Sequence, residues 1–206
     1  MTTPRLLACG LVAGPLFLAV YLVQAFTREG FDPAYHPLSL LSLGGPGWIQ
    51  IANFVVTGLL YVGFAAGMRR AIDHARGGTW GPLLFGIVGL GLVTAGVFTT
   101  DAGAGFPPGA PAGAPEMSRH GMVHEVGFVL ASLPWFAGCL VLVVRKVVPW
   151  WWLASPVGVL VVDAWPDQRT LSLRLVIGTA VQFAFMVALA VRLLRQSRRL
   201  KLIDMI

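Results

Sequence analysis

The chain has 206 residues, 56% of them hydrophobic and 12% charged, with a formal net charge of +6 and a mean hydropathy of +0.76. Soluble domains carry about 25% charged residues, so no single soluble core hides this much apolar surface, and lipid is the solvent that the composition requires. A positive charge could suggest a nucleic-acid partner, but the basic residues flank apolar runs and form no single patch, so membrane topology explains them better and no nucleic acid is expected.

Crossing a bilayer takes about 20 apolar residues as a helix. The apolar runs predict an all-α, polytopic membrane protein: one domain, residues 1–206, folded as a six-transmembrane-helix bundle with spans at about 6–26, 48–68, 80–99, 121–144, 150–162 and 173–194. The first run follows Arg5 and ends near "VQA", which resembles a cleavage site. It is longer than the roughly 7–15 residues of a secretory apolar region, so it is read as a retained helix. The fifth run is short, follows Pro149 and contains Pro156, which predicts a kinked or oblique segment. Cys9 and Cys139 lie inside apolar runs and form no CxxC or disulfide pattern.

Basic residues gather on cytoplasmic segments. With the N-terminus inside, that side holds Arg5, Arg69, Arg70, Arg76, Arg145, Lys146, Arg192, Arg195, Arg198, Arg199 and Lys201, while the other holds Arg28, Arg119, Arg169 and Arg174. Both termini are therefore expected in the cytoplasm, with loops 27–47 and 100–119 outside the plasma membrane. The tail "RLLRQSRRLK" reads as a basic extension at anionic headgroups, His74 as ordinary inner-loop material, and "GAGFPPGAPAGAPE" as a flexible external loop.

Polar residues inside spans are costly, so their clustering carries information. Gln50, Asn53, Thr57 and Tyr61 form one stripe of the second span; Arg174, Gly178 and Gln182 share a face of the sixth. One reading is helix packing, where small residues allow close approach and amides bond across helices for about 1 kcal/mol each. The other is a polar cavity opening outward between spans two, three, four and six, with Trp48, Gln50, Asn53, Arg174 and Gln182 contacting a lipid-like or small ligand.

The stretch "RHGMVHEVG" sharpens the second reading, since His120 and His124 stand one turn apart on a helix. With His36 from the outer loop "HPLSLLSL" they supply three ligands of the kind zinc takes, leaving one position for water. Zinc lowers the pKa of that water to about 7; Asp101 would orient or deprotonate it and Ser39 would contact the ligand. Glu125, about 100° around the helix from His124, would support the site from behind. The pattern HxxxH is by itself weakly specific. Two functions therefore stand side by side: non-catalytic binding of a lipid-like ligand or membrane partner, and zinc-dependent hydrolysis of a lipid-like ester or amide. Haem is a third reading, although His120 and His124 on one helix cannot supply opposite axial ligands. The oligomeric state is left open.

The segments "HPLSLLSLGGPGWIQIANFVVTG", "AGVFTTD" and "RHGMVHEVGF", in that order, resemble the membrane family known as domain of unknown function 998, over about residues 8–195. The resemblance implies a six-span fold and no established activity. A remoter similarity is to the superfamily of alkaline ceramidases and adiponectin-receptor-like proteins, which combine a serine, an aspartate and three histidines around zinc. Here Ser39 or Ser42, Asp101, His36, His120 and His124 are the matching residue types, but those proteins have seven spans and place their histidines elsewhere.

Overall fold

A computed structural model of the chain describes residues 1–72, 78–167 and 170–203, with side chains through residue 197. His74, Arg76 and Arg169 lie outside the described residues, as do the side chains of Arg198, Arg199 and Lys201 in the basic tail. The described residues form helices α1 (Thr3–Thr27), α2 (Gly47–Ala71), α3 (Trp80–Val97), α4 (Arg119–Val144), α5 (Ala154–Asp163) and α6 (Leu171–Ile203), with 3-10 segments at Leu38–Ser42 and Trp150–Leu153. Five helices are long and apolar enough to cross a membrane: α1 to α4 and the Leu171–Ser197 part of α6. The apolar segment Trp150–Asp163, which holds α5, is shorter.

In sequence of packing, α4 lies on α3, α3 on α2, α2 on α1, α1 on α6 and α6 on α5. α4 also meets the Trp150–Leu153 segment and reaches α6 through Trp135 and Phe185, whose rings lie 5.6 Å apart. Two glycine crossings set the closest approaches. A Cβ on Gly58 would stand 2.5 Å from the Gly89 carbonyl oxygen, and one on Gly89 would stand 2.6 Å from that of Gly58. Likewise a Cβ on Gly91 would meet the Ala131 nitrogen at 2.4 Å, and one on Gly127 the Ala95 nitrogen at 2.7 Å. Any side chain there would force backbone apart from backbone, which is why membrane helices use small residues at such crossings. The opposite side of α4 presents Met122, Val126, Val129 and Leu133, all exposed as lipid-facing residues should be.

The buried amides serve α1 and α2. Gln24 Nε2 donates to Gln50 Oε1 at 2.8 Å, and Asn53 Nδ2 donates both to that same oxygen at 3.2 Å and to the Phe17 carbonyl at 3.1 Å. Gln50 and Asn53 thus join two helices, as the packing reading of the stripe expects, and Gln24 completes the group from an otherwise apolar segment.

At one end of the bundle, two loops fold over the helices. Phe106 is fully buried there in a small core with Tyr21, Ala25, Phe31, Leu40 and Leu41, and Phe31 meets it edge-on at 5.3 Å. Arg28 lies over the Phe106 ring and donates to the Leu41 and Leu43 carbonyls at 3.0 and 2.6 Å. The Pro/Gly/Ala-rich stretch is consequently a folded element rather than the flexible loop its composition suggests. Ala104 N–H donates to the Gly113 carbonyl, Gly105 N–H to that of Pro111, and a bridge joins Gly103 to Phe106. One aromatic side chain in a stretch without regular periodicity supplies the apolar anchor that holds it in place.

A cavity under the outer loops

The link between α3 and α4 is built around Asp101. Ser118 is the N-cap of α4, its Oγ accepting from the Gly121 N–H at 3.0 Å. Ser118 also donates twice to Asp101, from its hydroxyl to Oδ1 at 2.6 Å and from its N–H to Oδ2 at 2.7 Å. These two bonds, with smaller help from the nearby His120 and His124, hold the Asp101 carboxyl below the usual carboxylate range. Gly121 makes room for this carboxylate, since a Cβ at that position would lie 1.9 Å from Oδ2. Asp101 thus ties the end of α3 to the positive first turn of α4.

The two histidines of "RHGMVHEVG" part company. His120 is exposed and its ring lies 5.1 Å from that of Phe98. His124 is buried, and its Nδ1 stands 2.9 Å from two carbonyl oxygens, those of Ala95 and Phe98. Both neighbours are acceptors, so Nδ1 carries a hydrogen, and in the neutral ring Nε2 keeps a lone pair. Nε2 has no hydrogen-bond partner among the described residues. The 1/4 spacing is read correctly as one turn of helix, but the α4 face turned to α3 takes only the second imidazole.

His36 is buried within the outer cap. Its Nδ1 accepts from the Asp32 N–H at 2.8 Å, and its Nε2–H donates to the Ala104 carbonyl at 3.0 Å. The ring therefore links the two outer loops and has no lone pair left for a metal. Among the described residues, no three His, Cys, Asp or Glu side chains come together in a way that could hold an ion. His36, His120 and His124 are not gathered, Asp101 is committed to Ser118, and the residues present do not fit a zinc centre.

What the fold does form is a cavity of about 410 Å³ between α4 and α6. Phe17, Phe54, Val88, Leu92, Phe136 and Phe183 supply apolar walls, and Ser39, Thr100, Asp101, His124 and Glu125 lie toward the end covered by the two loops that hold His36 and Phe106. Ser132, Thr179 and Gln182 add polar atoms along its sides. Its size falls within the roughly 300–1,000 Å³ of small-molecule sites. Of the residues expected to contact a ligand, Gln182 lines this space, and so do Ser39, Asp101 and Glu125. Trp48 is exposed, and Gln50 and Asn53 point into the α1–α2 contact. Arg174 closes the end of α5 instead, donating to the carbonyls of Val162, Asp163 and Asp167.

Ala131 lines the cavity as its place beneath His124 suggests, whereas Phe128, Ser132 and Phe136 are lining residues that sequence reasoning overlooked. They continue the His124 face at helical spacing, so following that face inward would have found them. Leu175, Thr179 and Phe183 extend the Gln182 face in the same way.

Five membrane-length helices, joined by buried amides and glycine crossings around this cavity, define a multi-pass helical membrane protein. Its sequence matches the family described as protein of unknown function (DUF998) over residues 11–198, and the chain belongs to that family. No curated protein and no solved structure matches it.

Proposed function

We propose that the protein is a six-span plasma-membrane protein, with both termini cytoplasmic, that binds a lipid-like, single-chain amphiphile between α4 and α6. The observation that carries this reading is the cavity, apolar along its walls and polar under the outer loops. An amphiphile sorts itself in such a space, its chain against Phe17, Phe54, Phe136 and Phe183 and its head near Ser39, His124 and Glu125. The α4 and α6 backbones approach each other little, meeting through Trp135 and Phe185, which supports a sideways route for a chain from the bilayer beside that contact.

The contacts of α6 support a sixth crossing. Arg174 bonds to the end of α5, and Arg192 Nε donates to the Val147 carbonyl just before it. Those arginines are separated along α6 by about 27 Å at 1.5 Å per residue, close to the roughly 30 Å of hydrocarbon. The segment from Val147 to Val162 therefore runs beside α6 for most of a bilayer's thickness. Eleven basic residues against four support termini on the inside.

Thr179→Trp tests the binding reading by filling the cavity from α6. Purified wild type should bind a fluorescent alkyl probe saturably at one site, and the variant should lose that binding while keeping its thermal midpoint. Equal binding by both proteins would overturn the proposal.

A further inference from the structure

We infer that the amphiphile taken by this cavity has a protonated amine as its head, an inference that rests on the binding reading above and names its ligand class. The charged residues lining the space are Asp101, Glu125 and Asp163, and no Lys or Arg is among the described lining residues. Asp163 has Arg174 nearby to offset it. Asp101 keeps its charge through Ser118, and exposed Glu125 has no partner among the described residues. The polar end of the cavity is therefore net negative. A carboxylate or phosphate head would meet like charge in a space with apolar walls, where Coulomb interactions are weakly screened.

His124 points to the same ligand independently. The residue is 4% exposed, its Nδ1–H is used by two α3 carbonyls, and its remaining nitrogen offers only a lone pair to the cavity. A lone pair there requires a donor. An ammonium group brings three N–H donors and a positive charge, satisfying the imidazole and the carboxylates together. An alcohol head could satisfy only the imidazole. Phe54, whose ring meets that of His124 at 6.3 Å in a T-shaped arrangement, lines the same part of the cavity.

The test uses dodecylamine, dodecanol and dodecanoate, three probes with one chain length and three heads, displacing the fluorescent alkyl probe from purified protein in a neutral detergent. The amine should bind at least about tenfold tighter than the carboxylate. Glu125→Gln, a change at an exposed position, should weaken the amine about threefold or more and leave the alcohol unchanged. A carboxylate bound as tightly as the amine would overturn the inference while leaving the amphiphile reading intact. No saturable displacement by any of the three would overturn both. An amine preference persisting in both Glu125→Gln and Thr179→Trp would reflect detergent partitioning and would also overturn the inference.

Discussion

His36→Phe separates a structural pin from a metal ligand. The substitution keeps a ring among Phe31, Tyr35 and Phe106, whose centroids lie 5.5, 5.2 and 5.6 Å from that of His36. It removes the bonds to the Asp32 N–H and the Ala104 carbonyl, the direct link between the two outer loops at this point. A net 0.5–1.5 kcal/mol per hydrogen bond gives a loss of about 1–3 kcal/mol. At roughly 2–4 °C per kcal/mol for a chain of this size, the apparent thermal midpoint should fall by about 5 °C at a fixed scan rate. Hydrogen exchange should rise around residues 32–41 and 103–106 and stay unchanged in α2 and α3. Because both ring nitrogens are engaged, a chelator should leave the wild-type midpoint where it is. A chelator that lowers the wild-type midpoint, and has no effect on His36→Phe, would refute the structural assignment.

Gly127→Val should cost about 1–3 kcal/mol by overpacking the α3–α4 crossing, whereas Gly158→Ala, with open space around it, should be neutral or slightly stabilising; equal midpoints for the two variants would contradict the glycine assignment. The Asp101 carboxyl titrates lower in the folded protein than in the unfolded chain, so its contribution is present above about pH 3.9 and lost as pH falls through the lower folded value. The stability advantage of wild type over Asp101→Asn should accordingly shrink between about pH 5 and pH 3, and an advantage that grows in acid would contradict the assignment. Reporter fusions after Arg76 and after Ala112 should report opposite sides of the membrane, as should fusions after Lys146 and after Trp165; one side for the second pair would remove α5 as a crossing.

The apolar runs made the helices legible because a bilayer imposes one length on every span. The Pro149–Pro156 spacing likewise announced the short α5. Gly127 beneath His124 suggests from the sequence room for a cavity, but it is the contact with α3, where a Cβ would meet the Ala95 nitrogen at 2.7 Å, and the sequence does not show which helix a small residue faces. Stripe logic also merged Gln50 and Asn53 with a ligand site because a helix face shows polarity without showing which neighbour it meets. Gln24, their partner, stands alone in an apolar run. His36, His120 and His124 share a residue type and one end of the bundle. Their separation depends on which ring nitrogen finds a backbone group, information set by loop folding around Phe106 rather than by spacing. Asp101 was singled out for chemistry, and the signal that assigns it to Ser118 was the glycine at 121 that leaves room for a carboxylate.

The most direct measurement of the central claim is photolabelling in membranes with a single-chain amine that carries a diazirine midway along its chain, followed by peptide mapping. The account predicts saturable labelling of α4 at Phe128, Ser132 and Phe136 and of α6 at Leu175, Gln182 and Phe183, which line the cavity, with competition by dodecylamine and loss in Thr179→Trp. Labelling confined to exposed Val126, Leu133 and Ile177, unaffected by competitor or by Thr179→Trp, would mean that the probe reports only bulk lipid contact and would contradict the account.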